Sequence, residues 1–194
     1  MPPNVDLDAL SDADLVRHTL GDRECFVHLA KRYEQKLLRY IMAISGFRKE
    51  DAEDVLQEVF IKTYVNLNGY DPRLSFSSWI YRIAHNETVS DIRKRSVRPT
   101  RTIEETDLDR WSDGSDLTKD LDLRIDRARI EETLRDIDVK YRDVLVLRYL
   151  EGHSYADIAD ILRKPINTVG NLIARGKRIF RDAYLTRYPT TYAE

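Results

Sequence analysis

Apolar residues recur at every third or fourth position along most of this chain, and that spacing predicts helices. The clearest stretch covers residues 22–45, where one helical face would carry Phe26, Leu29, Tyr33, Leu37, Tyr40 and Ile44. Glycine and proline are scarce, with 7 and 6 residues, so few positions interrupt the pattern. We therefore predict an all-α fold.

Capping residues and glycines mark where these helices should begin and end. Ser11 or Asp12 is suited to cap a short first helix that Gly21 ends, and Gly46 should stop the long second helix. Further helices are predicted over 49–68, 76–95 (capped by Ser75, Ser77 or Ser78), 124–137, 141–152, 154–162 and 166–188.

Residues 98–122 interrupt the helical pattern, with eight acids, four bases and little apolar periodicity. This composition is typical of a linker, or of a segment that orders only on a partner. The sequence therefore predicts two small helical domains, a helical bundle over 1–97 and a helix-turn-helix over 123–188, joined by an acidic flexible linker.

Charge is strongly segregated although the formal net charge is only −2. Residues 50–58 contain five acids and no base, whereas residues 163–187 contain seven bases and one acid. A partner that touches one face responds to local charge, so the chain has separate acidic and basic surfaces.

Cysteine content and hydropathy limit the class of protein. Cys25 is the single cysteine, which excludes an internal disulfide and a cysteine-based metal cluster. The N-terminus lacks the basic and apolar pattern of a secretory signal, and no stretch of about 18 apolar residues predicts a membrane span. We expect a soluble, cytoplasmic protein without membrane insertion.

Residues 154–181 fit a helix-turn-helix. The start of the second helix would expose Asn167, Thr168, Gly170 and Asn171, where DNA-binding pairs present side chains to base edges in the major groove. Four basic residues come next along the helix, and their charge is suited to phosphate contacts. They are Arg175, Lys177, Arg178 and Arg181. A plain helical hairpin with a solvated basic face is the alternative.

An acidic face on the third helix holds Asp51, Asp54 and Glu58, which are spaced i, i+3 and i+7. It could be a solvated face, a magnesium site or a docking surface for a basic partner. The four histidines are scattered without ligand spacing, which argues against a metal site. We predict no catalytic residues, no metal and no cofactor, since no phosphate-binding glycine loop occurs either.

The fourth helix interleaves aromatic and basic residues: Phe76, Trp79, Tyr81 and His85 with Arg82, Asn86, Arg93, Lys94 and Arg95. Aromatic faces next to cations are suited to holding unstacked bases along a charged track. The alternative is that Trp79, Ile80 and Ile83 are core residues, because an amphipathic helix must bury one side.

The order and spacing of these motifs resemble the bacterial RNA polymerase sigma factors. The similarity covers about residues 14–181 and is carried by "DAEDVLQEVFIKTY", "FSSWIYRIAHNETVSDIRKR", the acidic linker and "YRDVLVLRYLEGHSYADIADIL" with the following "NTV" and "ARGKR". The two-domain layout is similar to that of the extracytoplasmic-function (ECF) group.

The resemblance implies an alternative sigma factor, a non-catalytic specificity subunit of RNA polymerase. Core polymerase would be contacted by Asp54, Gln57 and Glu58, with Asp51 at the edge. The −10 element would be recognised and opened by Tyr70, Arg73, Trp79, Arg82, Asn86, Arg93 and Arg95. Duplex −35 DNA would be bound by Asn167, Thr168, Asn171, Arg175, Lys177 and Arg178.

Further implications are an acidic linker that threads a polymerase channel and an anti-sigma factor as a partner. Gly170 and Leu172 depart from the resemblance, since related chains usually carry a lysine and an arginine there, so −35 binding should be unusual. Two other functions compete: an autonomous helix-turn-helix regulator, and a DNA-processing enzyme with a metal at Asp51, Asp54 and Glu58.

Overall fold

The computed structural model describes residues 6–97 and 119–189, which contain helices and no strands. The N-terminal unit consists of α1 (Asp12–Gly21), α2 (Phe26–Ser45), α3 (Lys49–Asn66) and α4 (Phe76–Val97). The C-terminal unit consists of α5 (Lys119–Asp136), α6 (Val139–Leu145), α7 (Tyr155–Leu162) and α8 (Ile166–Arg187). The all-α prediction is confirmed; most of the predicted linker, 98–118, lies outside the described residues.

Local capping chemistry sets the helix boundaries. The Ser11 hydroxyl accepts a hydrogen bond from the Asp14 amide at 3.2 Å, and Gly46 ends α2 with φ of 72°, a left-handed conformation that glycine adopts without strain. The Ser75 hydroxyl accepts from the Ser78 amide at 3.2 Å before α4. These predicted caps are confirmed.

The predicted helix over 141–152 is divided in the structure. After α6 the chain forms a π-helical turn, Val146–Leu150, with the Glu151 amide donating to the Val146 carbonyl at 3.1 Å. The wider turn keeps Val146 and Leu147 fully buried while it redirects the chain toward α7. It did not appear in the apolar pattern, because the buried run continues through it.

The two units pack against each other, and their buried residues form one hydrophobic core. α4 packs against α7, and α2 packs against α5, α6 and the π-helical turn. Arg142, which is buried, joins them. Its guanidinium donates to the carbonyl of Ile44 at the end of α2, at 2.9 Å, and to the carbonyls of Arg135 and Ile137, at 2.7 and 3.1 Å.

Candidate functional surfaces

The acidic cluster predicted on α3 separates into two parts in the structure. Asp54 and Glu58 are exposed together with Gln57. Asp51 instead forms an ion pair with Arg95 of α4 at 2.6 Å. Within residues 6–97 and 119–189, no group of three or more His, Cys, Asp or Glu side chains is arranged to hold a metal ion.

Two large apolar side chains extend this exposed face of α3. Ile61 is 56% exposed and Val65 is 67% exposed. With Asp54 and Glu58 they are spaced i, i+4, i+7 and i+11, so all four lie on one side of the helix. We call these four residues the α3 stripe. Sequence reasoning missed its apolar half, although the apolar residues interrupt an otherwise polar face.

The loop before α4 is held by an aromatic cluster. Tyr70 is buried, its ring lies 5.3 Å from that of Phe76 and 5.5 Å from that of Trp79, and its hydroxyl donates to the Leu74 carbonyl at 2.6 Å. Arg73 is exposed and makes bidentate hydrogen bonds to Asp71, which lowers the pKa of that carboxyl to about 2. Tyr70 therefore shapes the loop, and Arg73 lies at its surface.

A cavity of about 470 Å³ opens between the C-terminal end of α3 and α4. Trp79 supplies an aromatic wall, and Asn66 and Asn86 supply amide groups. Its other lining residues are Val65, Gly69, Arg82, Ile83 and Arg163. An aromatic plane beside hydrogen-bonding amides can hold an unstacked base, so the predicted Trp79, Arg82 and Asn86 meet in one cavity.

The arginines predicted on α4 differ in their surroundings. Arg93 is exposed. Arg95 pairs with Asp51 and, at 2.5 Å, with Asp91, and its guanidinium lies 4.6 Å from the centre of the Phe47 ring. Of the two, Arg93 presents its charge more directly to solvent.

His85 lies on the inner side of α4 rather than with the exposed basic residues. Its Nδ1 is 3.1 Å from the Tyr40 hydroxyl and 3.9 Å from a carboxylate oxygen of Asp143. Burial lowers the pKa of His85 to about 4 and raises the pKa of Asp143 to about 7. This polar cluster is part of the packing between the two units.

The six residues predicted to contact −35 DNA are all exposed on α8. At roughly 100° per residue, five of them fall within one arc of the helix: Asn167, Thr168, Asn171, Arg175 and Arg178. Lys177 points away from that arc. The opposite side of α8 is buried through Val169 and Ile173, so the fold presents the polar face outward.

Gly170 and Leu172, the two positions near the start of α8 that depart from the family pattern, have different surroundings. Leu172 packs against the core, so it is a packing residue. Gly170 has an open environment, since a Cβ there would lie 3.8 Å from Tyr155 Cε2, an ordinary contact. The close approach falls at Gly176, where a Cβ would lie 3.3 Å from the Leu145 side chain, so any other residue there would require Leu145 to shift by a few tenths of an ångström.

Comparison with known protein families supports the assignment suggested by these surfaces. Residues 29–98 match the model of Sigma-70 region 2, and residues 127–179 match that of Sigma-70 region 4. In the part of the chain that the structure describes, no helix has the length and apolar character needed to cross a membrane.

Two curated relatives align over nearly their whole length. The ECF RNA polymerase sigma factor SigW of Bacillus subtilis is 32% identical, covering 83% of this chain and 89% of the relative. The ECF RNA polymerase sigma-E factor of Haemophilus influenzae is also 32% identical, covering 89% of this chain and 95% of the relative.

Two solved structures share the fold. CnrH in complex with the cytosolic domain of CnrY aligns with a TM-score of 0.68, at 23% identity over 91% of this chain and 98% of the other. The sigma factor RpoE of Bartonella quintana, in complex with the anti-sigma factor NepR, aligns with a TM-score of 0.66, at 22% identity over 81% of this chain and 95% of the other. This chain belongs to the ECF group of RNA polymerase sigma factors, which direct promoter-specific transcription, and not to the autonomous helix-turn-helix regulators.

Proposed function

We propose that three surfaces divide the work of promoter-specific initiation. The α3 stripe, with Gln57, docks on core RNA polymerase, the cavity beside Trp79 holds an opened base of the −10 element, and the exposed face of α8 binds the −35 duplex. The α3 stripe is the observation that carries the proposal. An exposed face that joins large apolar side chains to carboxylates is typical of a protein interface, and binding DNA alone would not require it.

Docking combines charge and apolar burial. Asp54 and Glu58 make no ion pair within the described residues, so their charge is available to basic groups on the polymerase. Ile61 gains by leaving water on contact, and Val65, which also lines the cavity beside Trp79, lies where the docking and −10 surfaces meet. Asp51 contributes indirectly in this proposal, since its ion pair with Arg95 fixes α3 against α4.

Holding the −10 strand relies on stacking and phosphate contacts. Trp79 supplies a stacking surface, and base stacking on an aromatic side chain contributes about 1–3 kcal/mol. Asn66 and Asn86 can hydrogen-bond to base edges, while Arg73 and Arg93 are exposed cations for the backbone. Tyr70 packs against Trp79 and does not need to touch DNA.

For the −35 duplex, recognition of bases is assigned to amide side chains, and the phosphate contacts that provide affinity are assigned to arginines. Asn167 and Asn171 are one helical turn apart at the exposed start of α8, and asparagine pairs well with adenine in the major groove. Arg175 and Arg178 continue on the same face toward phosphates. Lys177 lies outside this face and should contribute less.

An anti-sigma factor is the further partner that we propose, because one of the two solved neighbours was determined with the anti-sigma factor NepR bound. The protein would act in the cytoplasm, where bacterial core polymerase and promoter DNA are found. It would be a non-catalytic subunit, with residues 98–122 connecting the two units along the polymerase.

Core-polymerase binding tests the docking proposal. The double variant Asp54→Ala/Glu58→Ala should bind purified bacterial core polymerase about tenfold more weakly, a loss of about 1.4 kcal/mol. The control Glu24→Ala/Glu34→Ala removes two exposed acids elsewhere in the N-terminal unit and should bind normally. Circular dichroism should show unchanged helix content in both. Equal affinity of the two variants would refute the docking role.

A further inference from the structure

Helix α8 extends well beyond the residues assigned to −35 DNA. Those residues end at Arg178, whereas the helix continues to Arg187, about 13 Å further at about 1.5 Å per residue. Its last turns carry three aromatic rings, Phe180, Tyr184 and Tyr188, and the ring centroids of successive residues are 5.9 and 5.2 Å apart. This helix also packs against α5, so its added length has a protein partner.

Two residues at the end of α8 fasten it to α5. Arg187 donates to Asp136, and its Nε lies 3.5 Å from a carboxylate oxygen of Glu132. The Tyr188 hydroxyl donates to Glu132, and the guanidinium carbon of Arg129 lies 5.1 Å from the centre of the Tyr188 ring. Positions 129, 132 and 136 are spaced i, i+3 and i+7, so they share one face of α5. We call these five residues the α5–α8 clamp.

Core packing holds the C-terminal part of α5. Among the side chains of this helix that the structure describes, Thr133 and Leu134 are buried and Ile130 is partly buried, whereas the helix begins at Lys119. Short helices are marginally stable in water without tertiary contacts, and their turns form cooperatively. The clamp adds contacts on a second face of α5, so it also stabilises the turns that precede it.

The extent of α5 determines how much chain is available to span the distance between the two units. Residues 119–128 span about 15 Å as a helix and about 33 Å when extended. If they unwound, roughly 18 Å would be added to the reach of residues 98–118, which join the units. A base pair advances the duplex by about 3.4 Å, so this extra reach corresponds to about five base pairs.

We propose that the α5–α8 clamp is a positioning device that sets which spacing between the −35 and −10 elements supports initiation. By keeping α5 helical, the clamp limits how far the DNA-binding face of α8 can lie from the cavity beside Trp79. The inference rests on the proposed function, because it assumes that α8 binds the −35 duplex and that the cavity holds a base of the −10 element.

The clamp is separate from the surface that reads −35 DNA. Asn167, Asn171 and Arg178 are exposed on the earlier turns of α8, and Arg187 follows Arg178 by nine residues. Loss of the clamp should therefore change the preferred spacing and leave the affinity for −35 duplex unchanged. That combination distinguishes positioning from a loss of fold in the C-terminal unit, which would weaken duplex binding as well.

Transcription with purified bacterial core polymerase tests the clamp, on a promoter used by the wild type whose −35 to −10 spacer is varied by single base pairs. Arg187→Glu removes an ion pair and places an acid beside Glu132 and Asp136. Relative to the best spacer, it should raise initiation on spacers lengthened by about three base pairs roughly fivefold, because a longer connecting chain reaches further. Shortened spacers should gain nothing.

A matched control and a rescue separate the clamp from charge alone. Arg135→Glu makes the same charge change at an exposed position of α5 outside the clamp and should keep the wild-type spacer profile. Arg187→Glu/Asp136→Arg exchanges the charges of the ion pair and should recover that profile. If Arg187→Glu and Arg135→Glu change the profile equally, or if the exchanged pair shows no recovery, the proposal is overturned.

A milder variant and a binding measurement complete the test. Tyr188→Phe loses the hydrogen bond to Glu132 and keeps the ring beside Arg129, so it should shift the profile in the same direction by a smaller factor. Fluorescence anisotropy should show equal affinity of Arg187→Glu and Arg135→Glu for the −35 duplex. A loss of duplex binding specific to Arg187→Glu would overturn the positioning role, because the end of α8 would then act on the −35 surface itself.

Failure of the clamp and failure of the proposed function give different results. If the wild-type chain does not support transcription with core polymerase on any spacer, the proposed surface roles fail. If the wild type is active and Arg187→Glu has the same spacer profile, only the positioning role of the clamp fails.

Discussion

The two surfaces assigned to DNA differ in how the fold presents them. On α8 the polar residues face solvent, and the helix is held from behind by Val169, Ile173 and the close crossing at Gly176. On α4, Arg82 is bound by Asp160 of α7 and Arg95 by Asp51 and Asp91. The α8 surface is therefore accessible to duplex DNA, whereas Arg82 and Arg95 on α4 would have to give up their carboxylate partners to bind a phosphate.

This difference fits the roles proposed for the two surfaces. A duplex presents its grooves without being opened, so a rigid exposed helix suffices. An opened strand costs a few kcal/mol in lost stacking, so the surface that holds it must supply contacts that offset this cost.

The largest expected effect is at the joint between the two units. Arg142→Ala should lower the free energy of unfolding by about 3 kcal/mol, because it leaves the carbonyls of Ile44, Arg135 and Ile137 without their donor. Urea denaturation measures the change. Arg135→Ala removes an exposed arginine nearby and should cost little. A small effect of Arg142→Ala would mean that the joint contributes little to stability.

The second effect concerns a buried carboxyl between the units. Burial raises the pKa of Asp143 to about 7 from a usual value of 3.8, against the lowering influence of Arg142 and Lys164. The folded protein therefore binds a proton that the unfolded chain releases between about pH 4 and pH 7, and this contribution to stability is lost as pH rises through that window.

Asp143→Asn should remove that loss. The free energy of unfolding of the variant should equal that of the wild type at pH 4 and exceed it by about 2 kcal/mol at pH 8. Each pKa unit corresponds to about 1.4 kcal/mol, and relaxation of the protein around the charged carboxylate reduces the total. Urea denaturation across this pH range gives the curve. His85, 3.9 Å away, is present in both proteins. A difference independent of pH would contradict the assignment of a neutral buried carboxyl.

Substitutions on the exposed face of α8 should affect only the binding of duplex DNA. Asn171→Ala should weaken −35 duplex binding by about 1–2 kcal/mol through loss of a base contact. Lys177→Ala, outside the polar arc, should change it less, and single-stranded DNA binding should be unchanged in both. Fluorescence anisotropy with duplex and single-stranded probes measures this. A larger loss for Lys177→Ala would place the DNA on another side of α8.

The smallest effect is a gain. Gly170→Lys should strengthen duplex binding by only about a few tenths of a kcal/mol, because position 170 lies on the same side of α8 as Lys177, outside the polar arc, although the change also replaces a residue that disfavours helix. A Cβ at position 170 would make only an ordinary contact, 3.8 Å from Tyr155 Cε2. Gly176→Ala is the contrast, since its Cβ would press on Leu145. Weaker binding by Gly170→Lys would show that glycine is needed there.

Much of the fold follows from local pattern. The face formed by Tyr33, Leu37 and Ile44 is buried as its spacing predicts, and Ser11 and Gly46 bound their helices as their chemistry predicts. These features depend on residues within one or two turns of each other. Sequence alone is therefore sufficient to predict them.

The arrangement of the surfaces depends on contacts between residues that are far apart in the sequence, so local pattern could not predict it. Arg82 and Asp160, or Arg95 and Asp51, are far apart in sequence, and each resembles an ordinary surface charge on its own helix. Arg142 stands in an apolar run whose pattern does not distinguish a buried arginine from an exposed one. Only the packing of the two units identifies its carbonyl partners.

The most direct test of the account is transcription from a pool of promoter fragments by purified bacterial core polymerase, with and without this protein. We expect initiation at defined start sites only when the protein is present, with shared −35 and −10 sequences upstream of them. No initiation, together with tight binding of duplex DNA by the protein alone, would contradict it.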